Sequence, residues 1–424
     1  MADEALPPVD VIVPFGDAPA QPERAANLHT VLTRYLDRID YPSYRVVLVE
    51  VGPRATQADL AASKGWVHLY VESAAEFSPA FAQNYGFLNR PDPVELVYFH
   101  QADFVAEPAV LRRAVELMRR FDAPFVYPYW GEIHLSRLVS EAVRSGDVDG
   151  VGLYRLFSRV VSGVRADGSL VGPGEAAAHR EVAVPPEVLE LLHAELPAPL
   201  RRELAAADEA EVWGIDDRGY APYRWTPSDQ PSARICRISA GPRASAAYLC
   251  RDDAFRRIGG VPQMPGWGYE DLTAWLNVQS CWPYHADAIA VYFDGAPMSQ
   301  DMPLVHLWHP VGQRAGYYRH TEENEKRYRE LLAMTPSERR ELMTPLPAHT
   351  ADSEAGTTPD QRREGAVRYA VGDQVPPEPP DLDVSEEFPQ QVHNDAAVRD
   401  GEDRSGRRRQ PVEELEHPPP SLGR

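Results

Sequence analysis

The chain has 424 residues, long enough for a sizeable hydrophobic core, and its 64 acidic against 43 basic residues give a formal net charge of -21. Because phosphate groups attract basic surfaces, this charge argues against general nucleic-acid binding and against attraction to anionic lipids. The odd number of cysteines, the lack of a signal-peptide pattern and the lack of a run of about 18 apolar residues predict a cytoplasmic protein without a transmembrane segment, with a membrane-peripheral position left open.

Strand-like and helix-like segments alternate through the first third of the chain. The apolar runs VDVIVPF, YRVVLVEVG and WVHLYVE read as strands, and helices are predicted near 23–38 and 57–64. A further predicted helix at SPAFAQNYGFLNR leads into the apolar run ELVYFHQADF and the amphipathic segment PAVLRRAVELMRRF. This order predicts an α/β fold with a mostly parallel sheet and helices on both faces. Ligands of such sheets bind beyond the carboxyl ends of the strands, where we therefore expect the chemistry.

The pattern is less regular in the second half. Residues 140–232 form Gly-, Ala- and Pro-rich connections around short helix-like pieces, which we interpret as an insertion or lid. Regular segments return before the strand-like runs AIAVYFDG and MPLVHLWHP. Residues 344–424 are rich in Pro, Glu, Asp and Arg and too poor in aromatic residues to offset the entropy of ordering, so we expect a disordered tail. The predicted folded domain therefore spans residues 9–343.

Three residues are candidate metal ligands. Asp103 follows the apolar run ELVYF, where a buried strand emerges at the crevice, and a carboxylate there suits a hard divalent cation. An ordinary turn or helix-capping role for Asp103 is the alternative. In LVHLWHP, Pro310 disfavours a helix at His309, so the segment should be extended, with His306 and His309 on opposite faces. One histidine could then bind metal while the other packs or binds phosphate, and His306 is the stronger candidate.

The segment GWGYEDLTAWLN places two adjacent carboxylates, Glu270 and Asp271, at the start of a predicted helix. They point in different directions, so one can hold a hydroxyl group while the other takes its proton. The indole of Trp267 offers a face on which a sugar can stack, and the flanking glycines permit an unusual turn. The alternative is that the two carboxylates cap the helix and complement its dipole.

Three segments occur in the order found in family 2-like and β-1,4-galactosyltransferase-like glycosyltransferases. FSPAFAQNYGF resembles their FNRAxLLNVGF segment, HQADF resembles their HDVDL, and GGVPQMPGWGYED resembles their GFxxxxWGWGGED. The resemblance covers about residues 9–110 and 236–312. It implies a GT-A type, Rossmann-like fold and an inverting hexosyltransferase. It also implies a nucleotide-sugar donor, usually a UDP-sugar, and Mn²⁺ or another divalent cation.

The resemblance also implies roles for individual residues. Asp271 matches the catalytic base and Glu270 an acceptor-binding glutamate. Asp103 matches the metal-binding aspartate at the strand end, and His306 or His309 matches a late metal-binding histidine. The expected substrate-binding residues that match or neighbour the donor-binding segments are Trp267, Gly268, Phe77 and Asn84. Asp17, in the segment that lacks the family's arginines, could instead contact the nucleotide. The insertion at 140–232 would lie on the acceptor side.

Three departures from the family pattern keep alternatives open. Gln101 stands where the strand-end motif has its first acidic residue, and Tyr269 stands where the family's WGWGGED segment has a glycine. The segment PFGD lacks the arginines of the family's PFRNR segment. The leading hypothesis is transfer of a galactose-, N-acetylgalactosamine- or glucose-type sugar to a saccharide or glycoconjugate acceptor. The alternative is an inactive GT-A domain that recognises nucleotide or glycan. A nucleotidyltransferase is a weaker third hypothesis. It would need a glycine-rich loop with basic residues directly after the first strand, and the segment VIVPFGDAPAQPER has no such loop.

Overall fold

The computed structural model describes residues 6–16, 21–73, 77–105, 107–129, 131–153, 180–182, 190, 193–214, 235–240, 247–264, 268–282, 289–290, 304–310 and 320–347. Two residues with predicted roles, Asp17 and Trp267, lie outside these ranges, as do residues 348–424 of the predicted tail. Within the described residues, no helix is both long enough and apolar enough to span a bilayer.

The strands and helices follow the predicted alternation through the first third. The strands are β1 (Val9–Gly16), β2 (Tyr44–Gly52), β3 (Val67–Glu72), β4 (Leu96–His100), β5 (Phe104–Val105), β6 (Phe125–Val126), β7 (Gly131–Leu135), β8 (Arg180–Val182), β9 (Cys236–Ala240), β10 (Ala247–Arg251), β11 (Ile289–Ala290) and β12 (Leu304–His306). The helices are α1 (Pro22–Thr30), α2 (Ala58–Lys64), α3 (Pro79–Asn89), α4 (Val110–Phe121), α5 (Arg137–Ser145), α6 (Ala198–Ala206), α7 (Glu209–Trp213), α8 (Asp252–Arg257), α9 (Glu270–Cys281), α10 (Thr321–Ala333) and α11 (Pro336–Leu342).

Among the described residues, the larger sheet has seven strands in the order β11-β6-β10-β4-β1-β2-β3. Strands β4, β1, β2 and β3 run parallel, β10 runs antiparallel between β4 and β6, and β11 is parallel to β6. All eight residues of β1 are buried, as expected of a central parallel strand that is covered on both faces. The predicted α/β class and mostly parallel sheet are therefore confirmed. Because β10 is antiparallel to both neighbours, the carboxyl ends of β4 and β6 lie at the same edge.

A second sheet, to which the described part of the chain contributes five strands, has the order β5-β12-β7-β9-β8. Strand β5 comes shortly after β4 in the chain, so this small sheet is attached where the chain leaves the large sheet. Strand β12 runs antiparallel to β5 and parallel to β7, and His306 is the register partner of both Phe104 and His134. The predicted extended conformation of LVH is thus confirmed, whereas the sheet that receives it was not predicted.

Candidate active site

The three predicted metal ligands come together between the two sheets. The Nε2 atoms of His306 and His309 lie 3.4 Å and 2.9 Å from Oδ2 of Asp103. One ligand atom from each of the three residues fits within a group whose members all lie within 4.8 Å of one another. His306 and His309 are 5% and 7% exposed, so this is an enclosed group rather than a surface cluster.

The position of His309 differs from the expectation for a fully extended segment. Both imidazoles face Asp103, with ring centroids 5.2 Å apart, instead of pointing to opposite faces. The reason is that β12 ends at His306, so the alternation of a strand does not continue to His309. Both predicted histidines therefore lie in the candidate metal site, and neither is set apart for packing alone.

The electrostatics of this group fit a divalent cation. Burial by itself would raise the pKa of Asp103, but the neighbouring His306 and His309 outweigh it and hold the pKa of that carboxyl well below its usual range. Burial, followed by the charge of Arg24, lowers the pKa of His309, which favours the neutral imidazole that metal binding requires. Among the described residues, Oδ1 of Asp103 is buried without a hydrogen-bond partner. A carboxylate oxygen and two imidazole nitrogens form a donor set that suits Mn²⁺ or a similar ion.

A buried network holds the chain between the two histidines. Asn27 on α1 donates from Nδ2 to the carbonyls of Leu307, at 3.3 Å, and Trp308, at 3.1 Å. Its Oδ1 accepts a hydrogen bond of 2.9 Å from Arg144 on α5, which also reaches the Trp308 carbonyl at 3.2 Å. The Trp308 amide donates to Oγ of Ser140, also on α5, at 2.8 Å. These hydrogen bonds fix the backbone between His306 and His309.

This network gives a structural role to the first part of the predicted insertion. Ser140 and Arg144 belong to residues 140–232, yet they contact the metal-binding segment directly. A Cβ added at Gly214 would lie 2.3 Å from the indole of Trp308, so a second part of the insertion packs against the same segment. The sequence offered no periodic signal for these contacts, because each joins residues that are far apart in the chain.

Two further buried polar residues lie behind His306. Nδ1 of His134 on β7 is 3.2 Å from Nδ1 of His306, and Nε2 of His134 is 3.3 Å from Oε2 of Glu132. Glu132 and His134 are 1% and 2% exposed. Neither residue was predicted from the sequence to belong to the site. The signal that could have found them is the pair of ionisable residues two positions apart in the otherwise apolar strand GEIHL.

The second predicted constellation lies at the start of α9. Gly268 and Tyr269 precede the helix with φ values of +100° and +70°, and Tyr269 is thus a non-glycine residue in the left-handed region. Helix α10 supports this turn, since Asn324 donates to the Gly268 carbonyl at 3.2 Å and Tyr328 packs on Tyr269 with ring centroids 5.5 Å apart. The turn therefore holds Glu270 in a fixed orientation at the helix start.

The two adjacent carboxylates differ in environment. Burial, and then the charge of Asp271, raise the pKa of Glu270 to about 8. Oε2 of Glu270 is buried and has no hydrogen-bond partner among the described residues. Asp271 is only partly buried, and its charge acts on Tyr127 and Tyr328. Near neutral pH Glu270 is therefore mostly a protonated carboxylic acid.

The metal-ligand group and the carboxylate pair lie at the same edge of the large sheet. Asp103 comes three residues after β4. Tyr127, whose side chain feels the charge of Asp271, comes directly after β6. Only β10 separates β4 from β6, which places the two strand ends about 10 Å apart at the usual strand spacing. This is the edge at which the parallel sheet predicted the chemistry.

Comparisons with known proteins give a likeness at the level of solved structures only. No protein-family profile matches the chain, and no curated protein matches its sequence. S. aureus TarS, residues 1–349, is similar at 11% identity and a TM-score of 0.37, over 78% of this chain and 68% of that chain. Glucosyl-3-phosphoglycerate synthase from Mycobacterium tuberculosis, in complex with Mn²⁺, UDP-glucose and phosphoglyceric acid, is similar at 10% identity and a TM-score of 0.36, over 76% and 79%. Similarities this weak do not show what the chain does.

Two other predicted substrate-binding residues have defined surroundings. Phe77 packs over the end of β1, where a Cβ added at Gly16 would lie 2.3 Å from its ring. Asn84 is buried on α3 and bonds with both ends of its amide to the backbone of Val261, at 2.7 Å and 2.9 Å. Asn84 therefore positions the segment that leads to the Gly268 turn, and direct contact of Phe77 or Asn84 with a substrate stays a prediction.

Proposed function

We propose that the protein is a divalent-metal-dependent, inverting glycosyltransferase that moves a hexose from a nucleotide-diphosphate donor, in the first instance a UDP-sugar, to an acceptor hydroxyl. The observation that carries the proposal is the placement of a metal-ligand group and a carboxylate pair at one edge of a mostly parallel sheet. The motif resemblance at the same residues supports it. The three cysteines are all buried and free, and we propose a cytoplasmic location.

Asp103, His306 and His309 are the residues that would hold the cation. When bound, the cation would neutralise the charge that develops on the leaving diphosphate. Three protein ligands would leave room for phosphate oxygens and water, so a glutamine at position 101 would not by itself prevent cation binding. Asp103 contributes the negative charge, and the buried segment held by Asn27 and Arg144 fixes the two imidazoles beside it.

The carboxylate pair would handle the acceptor. Glu270, protonated near neutral pH, can donate its O–H to an acceptor oxygen and so orient the sugar. Asp271, which is partly exposed at the helix start, would take the proton of the attacking hydroxyl. The acceptor oxygen then bonds to the anomeric carbon while the bond from that carbon to the phosphate oxygen breaks. The opposite environments of two neighbouring carboxylates are what this division of roles requires.

The test is release of nucleoside diphosphate from a panel of nucleotide-sugars in the presence of Mn²⁺, with and without chelator. Wild-type protein should release nucleoside diphosphate slowly from one donor even when water is the acceptor, and chelator should abolish the release. Asp271→Asn should release it at least about tenfold more slowly, because general base catalysis contributes factors of this size or larger. Donor affinity should be unchanged in Asp271→Asn and reduced in Asp103→Asn.

A recognition module without turnover is the second candidate, and a specific feature favours it. The described metal group contains a single carboxylate, and Gln101 occupies the place of the first acidic residue in the resembling motif. Donor binding by wild-type protein without nucleoside diphosphate release, for every donor and with acceptor extracts added, would support the module and refute the transferase. Release of pyrophosphate instead would indicate a nucleotidyltransferase.

A further inference from the structure

We propose that Glu132 and His134 are positioning residues that select the tautomer and orientation of His306 for cation binding, an inference that rests on the metal site of the proposed function. The three side chains lie next to one another in the small sheet. Nδ1 of His306 lies 3.2 Å from Nδ1 of His134, whose Nε2 lies 3.3 Å from Oε2 of Glu132. At the other end, Nε2 of His306 lies 3.4 Å from Asp103.

The backbone of the small sheet sets the positions of these three side chains. His134 and His306 are register partners on the parallel pair β7 and β12, so strand pairing sets their separation. Glu132 and His134 are two residues apart on β7 and therefore share a face of the sheet. All three residues are at most 5% exposed. A buried carboxylate is costly unless it is compensated, and the imidazole of His134 is one group beside Glu132 that can compensate it.

The positions of the protons follow from the cation. A histidine that binds a cation through Nε2 uses the lone pair of that nitrogen, so its proton must be on Nδ1. His306 would then donate from Nδ1 to Nδ1 of His134, which leaves the proton of His134 on Nε2, facing Glu132. In the reverse arrangement, His134 donates to His306 and the proton on Nε2 of His306 points at Asp103, where it competes with a cation. A carboxylate beside Nε2 of His134 favours the first arrangement.

The experiment measures Mn²⁺ binding to the full chain by titration calorimetry and by electron paramagnetic resonance of free Mn²⁺, with no sugar donor present. His134→Leu removes the acceptor for the Nδ1 proton of His306 and should lower Mn²⁺ affinity about 10–100-fold, the range typical of residues that orient a metal-binding histidine. His134→Gln keeps an acceptor oxygen and should retain more affinity than His134→Leu. Glu132→Gln removes the charge with little change of shape and should also weaken binding.

A matched control changes the histidine of a similar histidine–glutamate pair in the large sheet. Nε2 of His68 lies 2.8 Å from Oε2 of the buried Glu50, away from the candidate metal group. His68→Leu should leave Mn²⁺ affinity unchanged, and thermal unfolding of every variant checks that each is folded. If His134→Leu does not fold, the Mn²⁺ affinities of His134→Gln and Glu132→Gln are compared instead. We then expect Glu132→Gln to bind Mn²⁺ more weakly than His134→Gln.

The outcomes separate this inference from the proposed activity. Wild-type Mn²⁺ affinity in His134→Leu and Glu132→Gln would overturn it, as would equal losses in His134→Leu and His134→Gln, because packing rather than the acceptor would then be responsible. Loss of affinity in the variants, with no sugar transfer by wild-type protein, would uphold the inference and refute the transferase. Sugar transfer by wild-type protein, with unchanged Mn²⁺ affinity in the variants, would support the transferase and refute the role of Glu132 and His134.

Discussion

Asn27 gives the sharpest test of how the metal-binding segment is held. Its side chain is fully buried and makes three hydrogen bonds, two to the carbonyls of Leu307 and Trp308 and one from Arg144. Asn27→Ala removes all three. The Trp308 carbonyl keeps a hydrogen bond from Arg144, at 3.2 Å, whereas the Leu307 carbonyl loses the donor that Asn27 provides.

The expected cost follows from these contacts. A buried carbonyl that loses its donor costs about 1–3 kcal/mol, and the lost hydrogen bond to the charged Arg144 costs about 1.5–3 kcal/mol. The two effects share partners and are not fully additive, so we expect Asn27→Ala to lower the free energy of unfolding by about 3 kcal/mol. We also expect Mn²⁺ affinity to fall, because the freed segment carries His306 on one side and His309 on the other.

The assay is urea unfolding combined with Mn²⁺ titration at one pH. Thr33→Ala is the control, since Thr33 lies further along the same helical segment and its hydroxyl donates to the nearby His29 carbonyl in an exposed position. It should change stability by no more than about 0.5 kcal/mol. An Asn27→Ala protein with the stability and the Mn²⁺ affinity of wild type would show that the network does not hold the segment.

Three further predictions concern the carboxylate pair and the end of β1. Because the pKa of Glu270 is raised from 4.5 to about 8 in the folded protein, its contribution to stability is complete below about pH 4.5 and is lost as the pH rises to about 8. Urea unfolding of Glu270→Gln should not show this loss. Gly268→Ala should lower the free energy of unfolding in urea by about 1–2 kcal/mol and slow sugar transfer, since φ of Gly268 is +100°. The control Gly65→Ala, at φ +67°, should lower stability without slowing transfer. Gly16→Ala should displace the Phe77 ring and raise the KM for the donor without lowering Mn²⁺ affinity. An unchanged KM would argue against a nucleotide beside Phe77.

Much of the fold could be read from local pattern. The continuous apolar runs of β1 and β2, the helix α3 and the amphipathic α4 all lie where the sequence pattern predicted them. Burial in a parallel sheet requires such runs, so composition and spacing suffice to find them. The same reasoning placed Asp103 at a strand end and the Glu270–Asp271 pair at a helix start.

The contacts that turn these residues into a site depend on the tertiary structure. Strand β12 lies between β5 and β7, about 200 and 170 residues away in the chain, and this pairing brings His306 to Asp103 and to His134. Asn27 and Arg144 reach the segment after β12 from two different helices. The period of a sequence reports which side chains are buried, because burial acts on each element separately. It does not report which elements meet, because pairing depends on the packing of the whole chain.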